Sequence, residues 1–147
     1  MHKIYLDTNV YNRPFDDQAQ VRIRLETIAI FSILQSIKNR EYSLLWSFMI
    51  DYENSLNPHN DIREEIEMLF FLAEEFISPD DFIFNKAKEF EATGIKPRDA
   101  IHLACALKGG ANYFLTCDDK LIKKTSELKI NLRVINPLKF IEEMEVK

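Results

Sequence analysis

The stretch Ile4-Tyr5-Leu6-Asp7-Thr8-Asn9 decides how this chain is read. It is a short apolar run closed by an acid and a polar turn. Lys3–Leu6 reads as a strand, which places Asp7 just past its end. A late stretch repeats the arrangement: Tyr113-Phe114-Leu115-Thr116-Cys117-Asp118. Between them, Glu53 follows a third apolar run and Asp99 opens a helix-like stretch. Acids just past strand ends are where an open α/β sheet builds its site. Several of them together suggest hard divalent cations, since Mg²⁺ and Mn²⁺ take oxygen ligands.

Working outward, the chain alternates strands and helices. Gln18–Lys38 reads as a long amphipathic helix, with Val21, Leu25 and Ile28 on its apolar face, continued by Leu34 and Ile37. Tyr42–Trp46 is the second strand, and Phe48–Leu56 a short helix stopped by Asn57-Pro58. Asp61–Glu75 reads as a helix with Ile62, Ile66, Leu69 and Phe70 in register, and Phe76-Ile77 as a minimal strand. Ser78-Pro79-Asp80-Asp81 starts the next helix, with a capping serine and proline at the first position, and Gly94 stops it. Pro97 starts a helix to Lys108. Tyr113–Thr116 is a strand, Asp119–Leu128 a helix, Leu132–Ile135 a strand and Pro137–Glu145 a closing helix. This alternation predicts α/β architecture: a central, mainly parallel sheet flanked by helices on both faces. No Gly-rich phosphate loop follows the first strand, which argues against nucleotide-cofactor folds.

A length of 147 residues suits one domain, 1–147, with a real core. No apolar run approaches the roughly 20 residues of a membrane span. The opening Met1-His2-Lys3-Ile4-Tyr5-Leu6-Asp7 is too short and too soon acidic for a signal peptide, so a cytoplasmic protein is the default. Cys105 and Cys117 make neither metal-ligand spacing nor a disulfide framework, which argues against zinc. A net charge of −5 argues mildly against a dedicated nucleic-acid binder. Metal held by several acids would weaken that objection. Lys96, Arg98, Lys120, Lys123 and Lys124 form a candidate basic rim, with solvated helix faces as the plainer reading.

These residues resemble the PIN-domain nucleases, including toxin ribonucleases of the VapC kind, along essentially the whole chain. Ile4-Tyr5-Leu6-Asp7-Thr8-Asn9 is similar to the family's first motif, Pro97-Arg98-Asp99-Ala100-Ile101-His102-Leu103-Ala104 to its third, and Phe114-Leu115-Thr116-Cys117-Asp118 to its fourth. The resemblance implies a three-layer α/β/α fold and Mg²⁺- or Mn²⁺-dependent cleavage of RNA. It also implies Asp7, Glu53, Asp99 and Asp118 as catalytic and metal-ligating acids.

Glu53, in Ser47-Phe48-Met49-Ile50-Asp51-Tyr52-Glu53, has Asp51 as a rival. On a helix the two side chains lie about 200° apart, so only one can face a site. Asn54 also stands where the family usually carries an apolar residue. Asp119 rivals Asp118, which the Thr-x-Asp spacing favours.

Thr8, Asn9 and Thr116 are candidates to orient the acids, with turn-forming chemistry as the alternative. Arg98 and Lys120 are candidate phosphate contacts. His102 lies one turn after Asp99 on the same face. A satisfied, partly buried histidine is its expected role, and an approach to the site the alternative.

If the toxin reading holds, the resemblance implies a small antitoxin protein and often a homodimer. Core packing is the first expectation for Phe70-Phe71-Leu72 and Phe82-Ile83-Phe84, and an interface the second. Other readings are a DNA-directed metal nuclease and a non-catalytic PIN-like module that binds nucleic acid or protein. A HAD-type phosphatase fits poorly, because Asp7-Thr8-Asn9 lacks that family's second aspartate.

Overall fold

The structure, a computed structural model, describes residues 1–145, so the last two residues of the expected 1–147 domain lie outside the described residues. Strand β1 (His2–Leu6) pairs in parallel on both sides, with β2 (Tyr42–Ser47) and with β4 (Tyr113–Leu115). Strands β3 (Ala73–Ile77) and β5 (Arg133–Ile135) complete a parallel sheet of order β3-β2-β1-β4-β5. The chain builds outward from β1 to β3, then returns to add β4 on the other side. Its direction therefore reverses between β1 and β4, where the loops beyond the strand ends diverge and leave a crevice.

The helices are α1 (Thr8–Asn12), α2 (Val21–Lys38), α3 (Phe48–Ser55), α4 (Asn60–Met68), α5 (Asp81–Ala92), α6 (Pro97–Lys108), α7 (Asp119–Ser126) and α8 (Pro137–Glu145). Helix α2 packs with α8, and α5 with α6, so the sheet lies between helical layers. Covered on both faces, its central strands are apolar almost throughout. Ile4, Tyr5, Leu6, Leu44, Leu45, Trp46, Phe114 and Leu115 are all buried.

Four expectations need correction. Val21, Leu25 and Ile28 of α2 are exposed, and the helix buries Ile30 and Ile33 instead, together with the expected Ile37. Both stripes follow helical spacing, so periodicity alone cannot choose between them. The helix expected over Asp61–Glu75 ends at Met68. A 3-10 turn over Leu69–Leu72 follows, and Ala73–Ile77 is a strand. Pairing with β2 overrides the local preference of Ala73-Glu74-Glu75. The cap of α5 is Asp80, not Ser78, its carboxylate accepting from the Ile83 amide at 2.9 Å. Finally, Phe70, Phe71, Phe82 and Phe84 are exposed rather than core, while Ile83 is fully buried.

Gly109 lets α6 close against the sheet. A Cβ there would stand 2.7 Å from Leu45 Cδ1 and 2.9 Å from Ile77 Cδ1. Gly109→Ala is expected to cost about 1–2 kcal/mol through overpacking, read as a lower urea midpoint at unchanged slope. An unchanged midpoint would show that both methyls can move aside.

Candidate active site

The site is built where β1 and β4 end. The Asp7 amide donates to Leu115 O at 2.9 Å, extending the ladder by one residue before the chain turns into α1. Asp7 then caps α1, its Oδ1 accepting from the Thr8 amide at 2.8 Å. Its Oδ2 accepts from the Thr116 hydroxyl at 2.9 Å and from Asn9 Nδ2 at 3.2 Å. The Thr116 hydroxyl itself accepts from Asn9 Nδ2 at 3.0 Å and from the Asp118 amide at 3.1 Å. Asn9 Oδ1 accepts from the Cys117 amide at 3.0 Å. Thr116 and Asn9 thus tie Asp7 to the turn that carries Asp118.

Asp118 caps α7, its Oδ1 accepting from the amides of Lys120 and Leu121 at 2.9 and 3.3 Å. Asp99, in the first turn of α6, borders one small cleft with Asp118, Lys96 and Lys120. Asp119 turns outward, where Arg22 grips it with two hydrogen bonds of 2.7 Å.

Glu53 comes from α3, a helix opened by the Ser47 cap. Its Oε1 accepts from the Thr8 hydroxyl at 2.7 Å and contacts His102 Nε2 through a short hydrogen bond. Its Oε2 lies 3.9 Å from Arg98, whose guanidinium covers Tyr52. Asp51 is turned elsewhere and accepts from the Trp46 indole at 2.8 Å.

His102 is 1% exposed and lies against the acids, 3.8 Å from Asp7 Oδ1. Among the described residues, Asp7, Glu53 and His102 form a group whose ligand atoms all lie within 4.8 Å of one another. Asp99 and Asp118 stand outside that tight group. The histidine is satisfied, as its spacing suggested, but it is fully buried and within the cluster. Its helical step from Asp99 was the visible signal. Its partners Tyr5 and Glu53 are 97 and 49 residues away, so no local pattern reveals them.

The electrostatics show too little positive charge for the acids present. Burial pushes Asp99 up to about 6, and Asp7 and Asp118 add repulsion. Burial also raises Asp7, although His102 and the Thr116 hydrogen bond pull the other way. For Glu53, burial is outweighed by His102 and Thr8, leaving it below the ordinary carboxylate range. For His102, burial opposes protonation, but the hydrogen bond to Glu53 and the charge of Asp7 win and its pKa is raised. Burial holds the thiols of Cys105 and Cys117 up at about 12, which leaves them unreactive.

The fold and this cleft define an open parallel α/β protein with an acidic site at its switch point. The chain belongs to the PIN domain family, whose model matches residues 4–128. Two solved structures share the fold. VapBC2 from Rickettsia felis, bound to a DNA fragment from its promoter, gives a TM-score of 0.59 at 16% identity, over 91% of this chain and 98% of that one. VapBC-1 from nontypeable Haemophilus influenzae gives 0.57 at 17% identity, over 92% and 98%. A comparison with curated proteins gave no match. Among the described residues, no helix is long and apolar enough to cross a membrane.

Proposed function

We propose that this protein is a Mg²⁺- or Mn²⁺-dependent ribonuclease that hydrolyses RNA phosphodiester bonds. One observation carries the reading. Asp7, Glu53, Asp99 and Asp118 come from four separate elements to one end of the sheet, where burial and then repulsion from Asp7 and Asp118 lift Asp99 to about 6. Such a site calls for a cation. Its donors are mostly hard oxygens, which fit Mg²⁺ or Mn²⁺.

Asp7, Asp99 and Asp118 would hold the ion, with Glu53 as a further ligand or as the group that orients the attacking water. When bound, the ion would lower the pKa of water and neutralise charge on the phosphoryl oxygens. Thr116 and Asn9 fix the orientation of Asp7. Arg98 lies beside Glu53 and Lys120 borders the cleft, and both would meet RNA phosphates.

The same reading makes the protein the toxin of a type II toxin–antitoxin pair. The two complexes of similar fold are named VapBC, which supports a small antitoxin partner. The exposed Val21, Leu25, Ile28 and Phe31 of α2 offer apolar surface for such a protein or for a second copy. A cytoplasmic location accords with an RNA substrate.

The test is cleavage of a labelled RNA pool with Mg²⁺ or Mn²⁺, with EDTA and a mock purification as controls. Asp7→Asn is expected to lower cleavage about 10³-fold while the protein stays folded by circular dichroism. Equal cleavage by wild type and variant would mean a contaminating nuclease and would sink the assignment. Cleavage of DNA alone, or of nothing, would favour a DNA nuclease or a binding module.

A further inference from the structure

Tyr5 and His102 are polar side chains at the centre of the core, and the scheme above uses neither. Tyr5 is fully buried in β1, stacked on Phe114 at 5.3 Å. Its hydroxyl lies 2.6 Å from Ser47 Oγ and 2.6 Å from His102 Nδ1. The other ring nitrogen of His102 meets Glu53 Oε1. Four residues from β1, β2, α3 and α6 thus form one unbroken hydrogen-bonded chain, and that chain ends on an acid of the site.

We propose that His102 is a positioning residue for Glu53, locked by a buried hydroxyl relay from Ser47 through Tyr5. The direction of the relay follows from donor inventory. An ionised Glu53 can only accept, so the proton of that contact sits on His102 Nε2. With the ring neutral, Nδ1 is then an acceptor and takes the Tyr5 hydroxyl proton. Ser47 Oγ already accepts from the Ile50 amide at 3.3 Å, which leaves its own proton for Tyr5. In that neutral state every link donates onward, from Ser47 to Tyr5 to His102 to Glu53.

The relay has a geometric result. His102 Nε2 and the Thr8 hydroxyl both fasten Oε1, leaving Oε2 on the side of Arg98. A long, flexible glutamate is thereby held in one orientation before any ion or substrate arrives. Phenylalanine and leucine would fill the same space without needing partners, so packing alone does not call for this chain. The inference deepens the nuclease reading and rests on it for the meaning of Glu53, but the relay can be observed without catalysis.

The first readout is ¹⁵N NMR of the His102 ring in metal-free protein, in alkaline buffer where the ring is neutral. The expected result is a protonated Nε2 and an unprotonated, hydrogen-bonded Nδ1 whose shift moves in Tyr5→Phe. The opposite tautomer, or no response to Tyr5→Phe, overturns the proposal.

The second readout is kinetic. Tyr5→Phe is expected to lower kcat about 10-fold at unchanged KM, and His102→Ala about 100-fold, with His102→Gln recovering part of the loss by donating from its amide. Folded variants with wild-type kcat overturn the proposal. So does electron-spin-echo detection of nitrogen directly bound to added Mn²⁺ that vanishes in His102→Gln, because His102 would then be a ligand. If wild type cleaves no RNA, the nuclease reading fails and the tautomer alone decides the relay.

Discussion

Asp99→Asn is expected to cut metal-dependent cleavage by about 10³-fold and yet to raise the melting temperature of the metal-free protein. Both effects have one cause. Asp99 is held at about 6 against an ordinary 3.8, by burial first and then by Asp7 and Asp118. The folded state therefore binds this proton more tightly than the unfolded chain does. The resulting stabilisation is full below about pH 4 and is lost as pH rises through about 6. At neutral pH the ionised carboxylate works against the fold, and asparagine removes that charge. A pKa of about 6 in place of 3.8 corresponds to about 3 kcal/mol at most. Asp99 is only half-buried, so solvent screening reduces this to ~1 kcal/mol. That equals a rise of about 2–4 °C for a chain of this length. Calorimetry in EDTA at neutral pH checks it, and in acid the two proteins should converge. A lower melting temperature at neutral pH would show that Asp99 makes contacts asparagine cannot. The same proton competes with the metal, so cleavage at limiting Mg²⁺ should weaken below about pH 6.

The second large effect lies outside the cleft. Glu26 of α2 is completely buried. Asn136 Nδ2 donates to its Oε2 at 2.5 Å, and Arg22 Nε reaches the same oxygen at 3.3 Å. Arg13 Nε stands 3.0 Å from Oε1, an ion-pair distance without hydrogen-bond alignment. Removing one partner of such a cluster strands the others. Glu26→Ala is expected to cost about 3 kcal/mol, lowering the melting temperature by about 6–12 °C. Glu26→Gln keeps an acceptor for Asn136 and should lose less. A loss under about 1 kcal/mol in Glu26→Ala would mean that water or Arg13 rearranges to fill the gap.

The parallel sheet and the acids were legible because both are written locally. An apolar run followed by a polar turn marks a strand end, and Asp7 and Asp118 stand at two of them. Other features depend on partners far along the chain. Ala73–Ile77 carries two glutamates and reads as helix until β2 is there to pair with it. Helix α2 has two apolar stripes, and only the sheet's position tells which is inside. The motif resemblance already favoured Glu53 over Asp51, but the Trp46 indole that occupies Asp51 is a partner the motif does not announce. His102 looked ordinary because the tyrosine that holds it lies 97 residues earlier.

Strand β1 sits between β2 and β4, and its two neighbours come from opposite halves of the chain. Asp7 and the threonine that braces it are 109 residues apart. During synthesis the first acid therefore emerges from the ribosome long before the cleft can close around it. A half-made chain has Asp7 on an open strand edge, with neither Asp99 nor Asp118 beside it. On the proposed reading, this order of synthesis is a safety catch. A nuclease of this fold would lack its full set of acids until Asp118 has left the ribosome, and an antitoxin made alongside it would have that interval in which to bind.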